Sequence, residues 1–185
     1  MSYYLLVMSY LNTVNMEGRE NKKFAKIYDK YIEKIYRFVF LKTGSKELAE
    51  DLTSQVFTKG WKKFKLQGAE IKNVSAYLFQ IARTEIANYY RQTSKFQVVL
   101  TEALEVADEK GDLEASHISG LMGQEVQKAL GGLEEELQNV LIWHYVEGIS
   151  FKEIGGFLNR PEGTVRVMAH RALKDLRGIL DGKSV

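Results

Sequence analysis

Two series of side chains in this sequence carry recognisable chemistry, and in both it is the chemistry of holding a polyanion. Near the C-terminus, Thr164, Arg166, Val167, His170, Arg171 and Lys174 fall at the spacing that gathers residues on the outer face of one helix. Guanidinium and ammonium groups grip phosphate, guanidinium also pairs with guanine edges, and a valine can lie against a thymine methyl. In the first half of the chain, Gln80, Arg83, Thr84, Ala87, Asn88 and Arg91 make a second, unbroken three-and-four series with no acid in it. Amides and guanidiniums are the groups that read base edges and sugar-phosphate.

Catalysis has no comparable constellation. His117, His144 and His170 are far apart in sequence, no cysteine supplies a thiolate, and the carboxylates form no paired pocket pattern. Gly131-Gly132 and Gly155-Gly156 lack the strand and lysine of a phosphate-binding loop. The expectation is a protein with no catalytic residue, no metal ligand, no cofactor and no small-molecule substrate.

The C-terminal series is positioned by a helix, a tight turn and a second helix. Ser150 with Glu153 is a capping box, and Ile149 with Ile154 is placed as a hydrophobic staple. A helix is therefore predicted from Phe151, with Phe151, Ile154, Gly155 and Leu158 inward. The chain breaks at Asn159-Arg160, and Pro161 suits the first position of the next helix because its missing N–H is not needed there. That helix turns Val165, Ala169, Ala172, Leu173, Leu176 and Ile179 or Leu180 inward. A helix-turn-helix lays such a helix in the major groove, early residues reaching base edges and later cations holding phosphate. Upstream, Leu121, Val126, Ala129, Leu130 and Leu133 mark a short helix, and Leu137, Val140, Leu141, His144 and Tyr145 another.

The first series sits on the third of three longer helices. Phe24, Ile27, Tyr28, Tyr31, Ile35, Phe38 and Val39 share one stripe that ends at Gly44, and Ser45 caps the next helix. That helix turns Leu48, Leu52, Val56, Phe57, Trp61 and Phe64 inward; its Lys59, Lys62, Lys63 and Lys65 either hold phosphate or simply complement the helix dipole. The third helix begins near Asn73 and buries Val74, Tyr77, Leu78, Ile81, Ala82, Ile86 and Tyr89.

Hydrophobic residues make up 45% of the 185, enough for a buried core, and no strand pattern competes. The net charge of +2 conceals a segregation: 16 cationic against 8 acidic side chains from Arg19 to Thr93, then 2 against 6 from Ser94 to Gly120. The aperiodic acidic stretch 95–120 reads as a flexible linker between residues 22–94 and 121–185, giving an all-α chain of two small helical domains, the second a helix-turn-helix. Residues 1–21 read as an extension, with Met16 as an alternative start, and no apolar run reaches bilayer length, so direct membrane insertion is not expected. The absence of cysteine fits the reducing cytoplasm.

Order and spacing together resemble the extracytoplasmic-function (ECF) subgroup of bacterial RNA polymerase sigma factors, from Phe24 to Leu180. The likeness rests on Glu47-Leu48-Ala49-Glu50-Asp51-Leu52-Thr53, Val56-Phe57, Trp61-Lys62-Lys63, Ala76-Tyr77-Leu78, Ile81-Ala82-Arg83 and Tyr89-Tyr90-Arg91. In the second half it rests on Tyr145-Val146-Glu147-Gly148, Glu153-Ile154, Pro161-Glu162-Gly163-Thr164-Val165-Arg166 and His170-Arg171-Ala172-Leu173. The resemblance implies that Asp51, Thr53 and Gln55 meet the beta-prime clamp helices of core RNA polymerase, with a further contact to the beta flap. It implies that the 67–73 loop, ending at Asn73, and the stripe Gln80, Arg83, Thr84, Asn88 and Arg91 hold the melted minus-10 strand. Thr164, Arg166, Val167, His170, Arg171 and Lys174 would read the minus-35 duplex, and a cognate anti-sigma factor is expected. Some positions depart from the pattern: Ser54 and Gln55 replace Gln and Glu, Glu134 replaces a frequent Pro, and Val167-Met168 replaces Ser-Arg. Gly155-Gly156 stands where helix formers are usual, at about 1 kcal/mol per glycine.

Two rival readings remain: a stand-alone helix-turn-helix regulator that binds promoter duplex without polymerase, and a helical scaffold whose basic faces meet an acidic protein. The acid-free stripe of the third helix is unexpected for either.

Overall fold

The computed structural model describes residues 19–67, 71, 73–101 and 121–182, with side-chain surroundings for 22–66, 71, 73–93 and 125–182. The expected extension and the Met16 start, most of the 67–73 loop, and linker residues 102–120 lie outside the described residues. The regular elements among those described are all helices: α1 Arg19–Thr43, α2 Lys46–Gln67, α3 Val74–Thr101, α4 Leu121–Gly131, α5 Glu135–Leu141, α6 Phe151–Leu158 and α7 Glu162–Leu180. A π-helical turn, Ile142–Val146, continues α5. No helix among them is long and apolar enough to cross a membrane.

The first three helices form as their local signals dictate. α1 stops at Gly44, whose φ of +73° favours glycine, and its N–H donates to the Phe40 carbonyl at 2.9 Å. The Ser45 hydroxyl then accepts the Leu48 N–H at 3.2 Å, starting α2, and Asn73 accepts the Ala76 N–H at 3.0 Å, starting α3. Phe24, Tyr28, Ile35, Phe38 and Val39 pack with Leu52, Val56, Phe57 and Phe64 and with Leu78, Phe79, Ala82 and Ile86. Each such large side chain stabilises the fold by about 1.5–3 kcal/mol when fully buried. Glu85 of α3 is also buried, ion-paired to Lys59 of α2, which fixes the two helices against each other.

Several faces differ from the periodic reading. α3 runs on to Thr101, past the expected boundary at Ser94, because no glycine or proline interrupts it and each added residue contributes one more backbone hydrogen bond. Tyr89, expected in the core, is exposed, and its ring instead meets the edge of Tyr90 at 5.5 Å. Phe79, which no single-helix stripe selected, is fully buried. After α5 the π-turn inserts one extra residue per turn: the Glu147 N–H reaches back five residues to the Ile142 carbonyl at 3.0 Å. The face rotates, so Ile142 and Trp143 are buried while Tyr145, expected inward, is exposed. Along α7, Val165, Ala169 and Ala172 take the inner stripe, leaving Leu173 and Leu180 outward. Val126 of α4 is exposed as well.

The two helical halves pack on one another. Trp143 inserts between Phe38 of α1, Phe79 of α3 and Phe157 of α6, at ring separations of 5.9, 5.9 and 5.3 Å. Around these rings Arg37 holds Glu147 bidentately at 3.0 and 2.9 Å, Lys34 donates to the Glu147 carbonyl, Lys42 to the Asn139 amide oxygen, and Gln127 to the Phe40 carbonyl.

Candidate nucleic-acid interface

The helix-turn-helix follows its sequence signals closely. The Ser150 hydroxyl accepts the Glu153 N–H at 3.3 Å, and the Glu153 carboxylate accepts the Ser150 N–H at 3.1 Å. The Ser150 hydroxyl also donates to that carboxylate at 2.6 Å, and this bond first, then the one from the Ser150 N–H, holds the Glu153 carboxyl below the usual carboxylate range. Ile149 and Ile154 are both buried, as the staple requires. α6 ends at Asn159 in the left-handed region, φ 52°, where the Arg160 N–H returns to the Gly155 carbonyl at 2.9 Å. A Cβ on Gly155 would stand 2.6 Å from the Arg160 carbonyl oxygen. The helix propensity lost at this glycine is thus the condition for the tight turn. Pro161 occupies the cap before α7 rather than its first turn, one position earlier than expected.

α7 then presents Thr164, Arg166, Val167, His170, Arg171 and Lys174, all exposed. Arg166 does not hang free. Its guanidinium donates to Glu162 at 2.6 and 3.2 Å and lies 5.1 Å from the centre of the Phe151 ring, which in turn stacks on His144 at 3.8 Å. His144 is anchored by Nδ1, 2.8 Å from the Ile149 carbonyl. Arg171 pairs more loosely with Asp175 at 3.6 Å. Phe151 and Glu162 therefore orient the arginine, a role the pattern of outward residues did not reveal although the four-residue Glu162–Arg166 spacing is visible in the sequence.

On α3, Gln80, Thr84 and Arg91 are exposed, and Asn88 and Arg83 are partly covered. Arg91 donates to the Asn88 amide oxygen at 2.8 Å, and the Thr84 hydroxyl donates to the Gln80 carbonyl at 2.9 Å. Asn73 is exposed but holds the helix cap. Arg83 is taken by Glu135 of α5, with both nitrogens on Oε1 at 3.2 and 3.3 Å. Burial pulls the Lys42 ammonium beside that pair down to about 8, Glu135 opposing and Arg83 reinforcing the shift. At Glu135 itself, burial raises the carboxyl, but Lys42 and Arg83 outweigh it and hold it below its ordinary value. Sequence periodicity missed Glu135 and Lys42 because their partners lie on other helices.

Of the three residues expected on the polymerase face of α2, Asp51 and Gln55 are exposed. Thr53 points inward and is 3% exposed, its hydroxyl without a hydrogen-bond partner among the described residues. A helix face of this pitch cannot turn positions 51, 53 and 55 to one side, since alternate residues diverge by more than half a turn.

Known proteins place both halves. The Sigma-70 region 2 pattern matches residues 27–96, and the Sigma-70 region 4 pattern matches residues 123–176. The chain is 26% identical over 166 residues to the ECF RNA polymerase sigma factor BldN of Streptomyces coelicolor, covering 89% of this chain and 62% of that one. It is 27% identical over 158 residues to the ECF RNA polymerase sigma factor SigM of Bacillus subtilis, covering 83% and 92%. The chain thus spans less than two thirds of BldN and nearly all of SigM. Among solved structures, the sigma factor RpoE of Bartonella quintana, crystallised with the anti-sigma factor NepR, shares the fold with a TM-score of 0.67 at 22% identity, over 86% of this chain and 98% of that one. With the region 2 pattern lying on the helices that carry Arg83 and Asn88, and the region 4 pattern on the capped helix-turn-helix, the chain belongs to the ECF subgroup of the sigma-70 RNA polymerase sigma factors.

Proposed function

We propose that this chain binds core RNA polymerase, recognises the minus-10 and minus-35 elements of its promoters, helps melt them and directs transcription initiation from the cytoplasm. Residues 22–94 are the region 2 domain and 121–185 the region 4 domain; 1–21 are an extension and 95–120 the acidic connector. Thr164, Arg166, Val167, His170, Arg171 and Lys174 read the minus-35 duplex, while Asn73, Gln80, Arg83, Thr84, Asn88 and Arg91 hold the opened minus-10 strand. Asp51 and Gln55 meet the beta-prime clamp helices, with Thr53 packed beneath them, and the second domain meets the beta flap. BldN and SigM carry the name of RNA polymerase sigma factors, and RpoE was solved with an anti-sigma factor; a cognate anti-sigma factor is the corresponding partner here. The protein performs no catalysis of its own.

The observation that carries this reading is the coexistence of two unlike faces: an exposed cationic helix on a capped helix-turn-helix, and an acid-free amide and guanidinium stripe on α3. A stand-alone regulator needs only the first. A strand pulled out of the duplex must be held by backbone and base-edge contacts, which the second offers. The test is run-off transcription by core polymerase on a genomic promoter library with and without the protein. New start sites are expected; their absence sinks the proposal.

A further inference from the structure

The six exposed side chains of the α7 reading face include no carboxylate, yet one stands directly beside them. Glu162, in the first turn of α7, uses a single oxygen, Oε1, to accept from both Nε and Nη2 of Arg166, at 3.2 and 2.6 Å. Its Oε2 takes no hydrogen bond among the described residues, and the side chain remains 41% exposed. The arginine is likewise only half used. The pair occupies one edge of the guanidinium and leaves the Nη1 hydrogens and one on Nη2 free at the end of the fork. Two donors and one acceptor therefore stand side by side where the reading helix begins. An exposed ion pair four residues apart adds only a few tenths of a kcal/mol to a helix, whereas a carboxylate brought to DNA is repelled by its phosphates. Stability alone is a weak reason for an acid at this position.

We propose that Glu162 is itself a base reader: its Oε2 accepts from the N4 amino group of a cytosine while the free edge of Arg166 takes the paired guanine, so that the two residues read one whole G·C edge. This rests on the reading of α7 as the helix that meets the minus-35 duplex. In the major groove a G·C pair shows two acceptors, guanine N7 and O6, followed by one donor, cytosine N4. Arg166 supplies the two donors and Glu162 the acceptor, which complements that order. A carboxylate has acceptors only, and thymine and guanine offer it only acceptors in that groove. The N6 donor of adenine stands beside its N7 acceptor, which suits an amide and repels a second carboxylate oxygen, so cytosine is the base left. The Phe151 ring, 5.1 Å from the guanidinium, helps hold the pair as a unit before DNA arrives and lowers the cost of ordering it.

The test enriches duplexes from a randomised pool with the full chain and with its Glu162→Gln and Glu162→Ala variants. The parent is expected to fix a G·C pair at which Glu162→Ala loses about ten-fold of the discrimination, while Glu162→Gln shifts toward A·T there, since glutamine matches adenine. Preferences at the other positions are expected to persist. In the enriched duplex the cytosine of that pair is then replaced by 2-pyrimidinone, which lacks the N4 amino group. The parent should lose about ten-fold more affinity through this replacement than Glu162→Ala does. Equal losses in the two chains, or variants that weaken binding to all duplexes alike, would leave Glu162 as a prop for Arg166 and overturn the inference while duplex reading by α7 stands. A parent that enriches no sequence, with an Arg166→Ala chain that binds duplex as the parent does, would overturn the reading of α7 itself.

Discussion

The arginines of the two helices proposed to carry the binding chemistry, α3 and α7, are held in opposite ways. On α7 the key arginine is propped by its own neighbourhood: Glu162 one turn back, the Phe151 ring beneath it and His144 beneath that. Its geometry is set before any partner arrives, and the cost of ordering the side chain is met within the domain. On α3 the corresponding arginine is propped by the other domain, through Glu135. A reader fixed from within keeps its geometry by itself, whereas one held from across a seam has to release Glu135 of the other half to take another partner. The difference matches the substrates proposed for them, since duplex is present from the start and a single strand appears only after melting.

The sharpest way to break this comparison is to unmake the seam. Arg37→Ala leaves the fully buried Glu147 carboxylate without its bidentate partner, a defect worth about 3–5 kcal/mol in a closed structure. The domains are therefore expected to part, seen as an increased radius of gyration in small-angle X-ray scattering, with strand binding raised and duplex binding unchanged. An unaltered scattering curve would show that the seam does not depend on this pair.

A smaller effect should damage α7 alone. Gly155→Ala places a Cβ 2.6 Å from the Arg160 carbonyl oxygen, so the turn must shift at a cost of about 1–3 kcal/mol. Duplex binding and the melting temperature are expected to fall while single-strand binding persists; equal loss of both would mean that the halves fail together. Next in size, Arg166→Ala should lose about 1–3 kcal/mol of discrimination between minus-35 sequences, and Phe151→Leu part of that, with polymerase affinity intact. A competition assay on randomised duplexes checks both.

The capping box, the staple and the Asn159 break were all legible in the sequence, because each depends on residues within a few positions of one another. So were the core stripes of α1 and α2. What the sequence could not disclose were Phe79, Trp143 and Glu147, whose burial is created by packing between helices far apart along the chain. The π-turn compounded this by rotating the face after α5, so a 3.6-residue period chose Tyr145 where the fold buries Trp143. At the site, the outward residues of α7 were readable as a set, but the groups that aim them were not. Thr53 shows the converse limit: a motif names neighbours in sequence, and a helix distributes them around its axis.

The mildest prediction concerns pH. Lys42 faces Glu135 and Asn139 of α5, Arg83 of α3 and the Phe38 ring of its own helix. Its ammonium titrates at about 8 in the closed form against 10.5 when solvated. Between those values the open form binds more protons, so closure should strengthen as pH rises from about 8 toward 10.5; below that window Lys42 is charged in both forms and contributes no slope. Dyes placed on cysteines introduced at Lys62 and Arg177, in a chain that has no other cysteine, would report it by energy transfer. Lys42→Met should flatten the response; an unchanged slope would assign it to another group.

The chain contains two tryptophans, and one of them is the seam's central ring. Trp143 passes from an enclosure of three rings to water whenever the halves separate, so its emission should move to longer wavelength at that moment. Trp61, partly exposed against Phe24 and Phe64, stays within one domain and serves as the steady background. The molecule thus carries an intrinsic optical gauge of any separation of its halves, readable in the isolated chain without any label.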